Sequence, residues 1–75
     1  MPLAYVLINV KPSKEKELLE GLRKLDGIID ARIVMGEFDI LVTLERTTMK
    51  ELNKIITSEL RYLDNVESTQ TLMAV

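Results

Sequence analysis

The chain has no cysteine and no histidine, which excludes disulfide stapling and thiol chemistry and removes the commonest zinc ligands. General acid or base work would then fall to carboxylates, lysines or tyrosines, and no pair of these sits at a spacing that compels a catalytic reading. Apolar runs are short: none approaches the ~20 residues that cross a bilayer as a helix. Positive charge is not in excess either, with 10 lysines and arginines against 12 acidic residues and a net charge of −2. Nucleic-acid affinity rests mainly on phosphates neutralised by clustered basic side chains. Here the one basic cluster, Lys11, Lys14 and Lys16, is interrupted by Glu15 and Glu17, so direct nucleic-acid binding is not expected. Met1-Pro2-Leu3 carries no basic stretch ahead of an apolar segment and no small-residue cleavage site, so secretion is not signalled and the expected compartment is the cytoplasm. No cofactor and no metal is implied.

What the chain does have is a 47% apolar content beside 29% charged residues, the balance of a globular domain. Its 75 residues are read as one domain over residues 1–75, and a lone core of that size supplies roughly 3–5 kcal/mol. With disulfides and zinc excluded, association with further copies is the remaining staple.

The order of elements reads strand, helix, strand, strand, helix, strand. In the first strand, Ala4, Val6, Ile8 and Val10 fall on one face and Leu3, Tyr5, Leu7 and Asn9 on the other, because side chains alternate along a strand. Pro12-Ser13 breaks it, with Ser13 placed as helix N-cap and Glu15 and Glu17 near the positive helix end. Leu18, Leu19, Leu22 and Leu25 follow at helical spacing, and Gly27 stops the run. A second strand over residues 28–35 collects Ile29, Ala31, Ile33 and Met35 on its apolar face. Gly36-Glu37 reads as a two-residue hairpin loop, and residues 38–45 as a third strand with Phe38, Ile40, Val42 and Leu44 on one face. Residues 48–51, Thr-Met-Lys-Glu, fit a capping box ahead of a helix whose stripe is Leu52, Ile55, Ile56, Leu60 and Leu63. After the Asp64-Asn65 turn, a last strand runs from Val66 through a Ser/Thr/Gln stretch too polar for the middle of a sheet.

A βαββαβ order is that of the ferredoxin-like α+β fold, a four-stranded antiparallel sheet with two helices on one face. Its first and third strands are central, and here those two are the richest in apolar residues. If the helices cover the Val6, Ile8, Ile40 and Val42 side, then Leu3, Tyr5, Leu7, Val34, Leu41 and Thr43 remain as a patch on the far side. Such a patch on a small chain is expected to be an interface, so two sheets are expected to pack face to face in a two-fold homodimer.

At the hairpin, Val34-Met35-Gly36-Glu37-Phe38-Asp39-Ile40 resembles the β-turn-β signature of the Lrp/AsnC family of transcription regulators. The C-terminal effector domain of that family, often called the RAM domain, shows a glycine, a variable residue, an aromatic and an aspartate there. Asn65-Val66-Glu67-Ser68-Thr69-Gln70-Thr71-Leu72 is similar to the family's closing motif, a turn and valine followed by a Thr-x-Thr strand. There is no room before Leu3 for the family's helix-turn-helix, so the likeness is to a stand-alone effector domain. The resemblance implies dimers that assemble further, commonly into rings of four dimers, with amino acids or related small molecules bound near contacts between dimers. It also implies mixed assemblies with full-length Lrp/AsnC regulators as a route to modulating them.

A free amino acid presents a carboxylate and an ammonium, which ask for donors and an acceptor. Backbone amides at Gly36 and Glu37, the Asp39 carboxylate, and hydroxyls of Ser68, Thr69 and Thr71 form the candidate set, with Phe38 beside them in the motif. Each has a plainer explanation. Turn geometry accounts for Gly36; Asp39 suits a turn cap or a cross-strand partner for Arg32; Thr69 and Thr71 are ordinary strand formers; Phe38 suits the core. Competing readings are a small dimeric α+β barrel enzyme, an ACT-like regulatory module and a purely structural oligomerisation module.

Overall fold

Alternation along the two central strands decides where everything else packs. In the computed structural model, which describes residues 1–74, the elements are β1 (Leu3–Val10), α1 (Glu15–Arg23), β2 (Ile28–Ile33), β3 (Ile40–Glu45), α2 (Met49–Ser58), a short 3-10 turn (Leu60–Tyr62) and β4 (Val66–Met73). The sheet order is β2-β3-β1-β4 with every neighbouring pair antiparallel. This is the ferredoxin-like α+β arrangement, with β1 and β3 in the middle as their apolar content requires. Ala4, Val6, Ile8 and Val10 of β1 share one face with Ile40, Val42 and Leu44 of β3 and Ala31 of β2, all buried. Leu18 and Leu22 of α1 and Leu52, Ile55 and Ile56 of α2 close over them, with Leu60 from the 3-10 turn. Among the described residues no polar or charged side chain is buried, so this core is apolar throughout. Each of its large side chains contributes about 1.5–3 kcal/mol on leaving water.

The ends of the helices show which local signals prevail. Ser13 does not cap α1: the Lys14 amide bonds the Lys11 carbonyl at 3.1 Å, Ser13 sits at φ 69°, and Lys14 holds the N-cap position without a side-chain bond. Pro12 presets the turn and the following residue must take positive φ, so Ser13 is used up one step before the helix. Glu15 and Glu17 do occupy the first turn. At α2 the expected cap is present, Thr48 Oγ1 accepting from the Glu51 amide at 3.2 Å, while the Glu51 carboxylate lies 3.6 Å from Arg46 Nε.

The second strand departs most from its reading. It ends at Ile33 rather than residue 35, and the register slips between Ile28 and Asp30, so that Ile28 faces Leu44 and Asp30 faces Thr43. One extra residue in an edge strand turns its neighbour off the shared face. Ile28 therefore packs against the core, while Ile29 is 57% exposed, Ile33 49% and Met35 fully so. The hairpin is also wider than two residues: the Val34 amide bonds the Asp39 carbonyl at 2.8 Å, leaving residues 35–38 as the loop, and β3 starts at Ile40 rather than residue 38.

Gly27 turns the chain from α1 into β2 at φ 90°, and a Cβ there would stand 2.7 Å from Arg46 Cδ and 2.9 Å from Ile55 Cδ1. Gly21 sits in mid-helix, where a Cβ would meet only Leu63 Cδ2 at 4.0 Å. The two alanine substitutions should therefore act with opposite sign. In urea unfolding, Gly27→Ala is expected to lower stability by roughly 1–3 kcal/mol and Gly21→Ala to raise it by about 0.5–1 kcal/mol.

Candidate functional site

The loop between β2 and β3, the end of β1 and the start of β4 meet at one end of the sheet. Asp39 is where they are tied. Its amide bonds the Ile8 carbonyl at 2.9 Å, its carbonyl receives the Val34 amide at 2.8 Å, and its Oδ2 accepts from the Val10 amide at 2.8 Å. On the other side of β1, the Lys11 amide bonds the Asn65 carbonyl at 3.0 Å, and Asn9 Nδ2 bonds Ser68 Oγ at 3.0 Å. Asp39 is half-buried, whereas Met35, Gly36 and Glu37 are exposed at the loop tip and Phe38 is half-buried beneath it. Gly36 takes φ 135° with no atom within 4 Å of a Cβ position, so the positive φ rather than crowding is what favours glycine there.

The candidate residues are only partly gathered. Gly36, Glu37, Phe38 and Asp39 share the loop, and Ser68 lies across β1 from it, opposite Asn9. Thr69 and Thr71 pair with Ile8 and Val6, which places them on the helix-covered side of β4, the reverse of Ser68. Hydroxyls of these three residues therefore cannot serve one ligand from one face. Arg32 does not reach for Asp39; its Nε pairs with Asp30 Oδ2 at 2.7 Å on the exposed edge. A recess of about 240 Å³ lies between α1 and the turn before β4, lined by Glu17, Leu18, Gly21, Leu63, Asp64 and Asn65, and it includes none of the loop candidates. Among the described residues no group of three or more acidic, cysteine or histidine side chains is placed to hold a metal ion.

The far face of the sheet is as its alternation requires. Tyr5 pairs with Thr43, Leu7 with Leu41 and Leu3 with Glu45, and Val34 follows half-buried beyond the end of β2. Pairing with β4 adds two side chains that the sequence reading left out: Leu72 stands opposite Tyr5 and Gln70 opposite Leu7. Tyr5 is 37% exposed and Leu72 48%. Their signal was present as a period of two along β4, hidden because it depends on the register with β1. The helices lie on the opposite face, so among the described residues no helix covers this one.

The architecture is an antiparallel α+β sheet with one dry face, one bare face and an exposed loop at its end. The chain belongs to the Lrp/AsnC ligand binding domain family, whose model matches residues 3–75. It is 34% identical over 74 residues to PF0250 of Pyrococcus furiosus, an uncharacterized HTH-type transcriptional regulator, with 95% of this chain and 49% of that protein covered. It spans about half the length of the curated relatives it matches. The crystal structure of hypothetical protein PHS023 from Pyrococcus horikoshii superposes with a TM-score of 0.93 at 32% identity, covering 100% of this chain and 90% of that one. The transcriptional regulator NMB0573 of Neisseria meningitidis, solved as an L-Met complex, shares the fold, with a TM-score of 0.86 at 17% identity over 99% of this chain and 49% of that one. No helix among the described residues is long and apolar enough to cross a membrane.

Ser68 is a candidate residue that can be altered with little effect on the fold, since it is exposed and its one side-chain bond, to Asn9, lies at the surface. Ser68→Ala is expected to change the unfolding free energy in urea by less than about 0.5 kcal/mol, so any loss of ligand response in that variant would report binding.

Proposed function

We propose that this chain is an effector-binding and assembly module of the Lrp/AsnC type, which binds a free amino acid or a related small molecule and acts on regulators rather than on DNA. The observation that carries the reading is the bare sheet face, Leu3, Tyr5, Leu7, Leu41, Thr43 and Leu72, in a chain of a ligand-binding-domain family. Face-to-face packing of two copies buries this patch in a homodimer. A separate exposed apolar set along the β2 edge, Ile29 and Ile33 with Met35 beyond them, is available for further assembly, an octameric ring of four dimers being the form the resemblance implies.

For the ligand, amides of Gly36 and Glu37 are the donors to a carboxylate, with residues Phe38 and Asp39 completing the loop and Ser68, Thr69 or Thr71 supplying a hydroxyl from β4. The solved L-Met complex of a protein with the same fold makes an amino acid the first class to try. A net charge of −2 and a basic cluster broken by glutamates argue for action through regulators, including mixed assemblies with full-length family members in the cytoplasm, and not through direct nucleic-acid contact. Absence of His and Cys supports a non-enzymatic role.

Two measurements test this. By light scattering after size exclusion, the wild type is expected as a dimer or larger, and Leu7→Glu, which buries a charge in the middle of the proposed contact, as a monomer that remains folded by circular dichroism. A thermal-shift screen against the common amino acids at millimolar concentration is expected to show a selective rise, since a ligand at one hundred times its dissociation constant adds about 2.7 kcal/mol. Assembly without any shift would leave a structural oligomerisation module.

A further inference from the structure

Asp39 carries a role that the motif alone does not reveal. Along β1 the backbone groups alternate between the two flanking strands. The Ile8 carbonyl faces β3, taking the Asp39 amide at 2.9 Å, and the Lys11 amide faces the β4 side, reaching the Asn65 carbonyl at 3.0 Å. Val10 stands between them, where β1 changes register with β4 between Asn9 and Val10 and where β3 has already given way to the loop, so that Ile40 opposite Ile8 is its last paired residue. The Val10 amide therefore has no ladder carbonyl to meet on that side. Asp39 Oδ2 meets it at 2.8 Å. The Val10 side chain is buried, and an amide left unpaired at such a place costs most of its desolvation.

We infer that Asp39 is a positioning residue: its carboxylate replaces the missing rung between β1 and β3, and through that rung it holds residues 35–38 in the shape that presents the Gly36 and Glu37 amides. The residue closes the loop at three points, by its amide to Ile8, its carbonyl to Val34 and its side chain to Val10. With Oδ2 committed to the Val10 amide, the side chain is held in one orientation, and Asp39 acts on a ligand through the loop it shapes. The bearing on ligand recognition rests on the effector-binding reading above; the rung itself does not.

The test uses Asp39→Ala and Asp39→Asn, because asparagine keeps an oxygen of the same reach and loses only the charge. Hydrogen–deuterium exchange of the full chain, resolved to single amides by fragmentation in the mass spectrometer, reads Val10 against Val6, a reference in the middle of the same strand. In Asp39→Ala the Val10 amide is expected to exchange faster by about tenfold or more relative to Val6, with faster exchange through residues 35–38, while Asp39→Asn stays within about threefold of wild type. Unchanged Val10 exchange in the alanine variant overturns the inference. So does an asparagine variant as fast as the alanine one, and if the alanine variant fails to fold, the asparagine comparison decides alone. The same variants then enter the amino-acid thermal-shift screen. Asp39→Asn is expected to retain the shift of the wild type; a variant that keeps Val10 protected yet loses the shift would make the carboxylate a direct ligand group and overturn the positioning role. If the wild type itself responds to no amino acid, the effector reading fails while the exchange result still judges the rung.

Discussion

The pairing of β1 with β3 is the constraint from which the rest follows. From Leu3 opposite Glu45 to Ile8 opposite Ile40, each step sends one pair of side chains to the helix side and the next to the other side. Both helices connect strands over the same face, so one set of pairs, Ala4 with Leu44, Val6 with Val42 and Ile8 with Ile40, receives a complete apolar cover. The alternate set, including Tyr5 with Thr43 and Leu7 with Leu41, receives none from the helices among the described residues. A sequence that makes its central strands apolar on both sides therefore specifies a domain and leaves a surface over. In a chain where no other staple is built in, that surface is where added stability can come from.

Much of this was legible because it depends on local periodicity. The helical stripes of Leu18 and Leu22 and of Leu52, Ile55 and Ile56 are buried as their spacing requires, and Thr48 caps its helix through the bond that its position suggests. What was not legible depends on competition or on register. Ser13 had the right chemistry for a cap, but the Lys11-to-Lys14 turn engaged its backbone first. Ile29 reads as core by alternation, yet a slip of one position beside it exchanges faces, and nothing in the residue types announces that slip. Met35 continues an apolar alternation on paper and projects fully exposed, because the strand has ended before it.

The candidate site divides along the same line. Its loop was recognisable from the Gly-x-aromatic-Asp spacing, which specifies a turn and the strand after it. The partners of that loop were not, since they belong to β1 and β4 and meet it only through sheet register. That register separates Ser68 from Thr69 and Thr71 onto opposite faces, and it brings the Asp39 carboxylate to an amide 29 positions earlier in the chain. The loop amides and the bare sheet face share β1 as a common support: Asp39 holds its end from one side and Asn9 bonds Ser68 from the other. Contact across the sheet and the shape of the loop thus meet in the same short segment.

The strand order also sets a timetable. β1 lies between β3 and β4, so the earliest-made of these four strands is the last to be enclosed; Asn9 waits for Ser68, 59 positions later. At about 5–20 residues per second, β1 spends several seconds with at least one open edge, long after the β2–β3 hairpin has had its microseconds to close. During that interval the nascent domain presents its most apolar strand as a template for pairing. Neighbouring copies emerging on one polysome would meet at that strand, and crowding of nascent chains would favour mispairing along the β1 edge until β4 covers it.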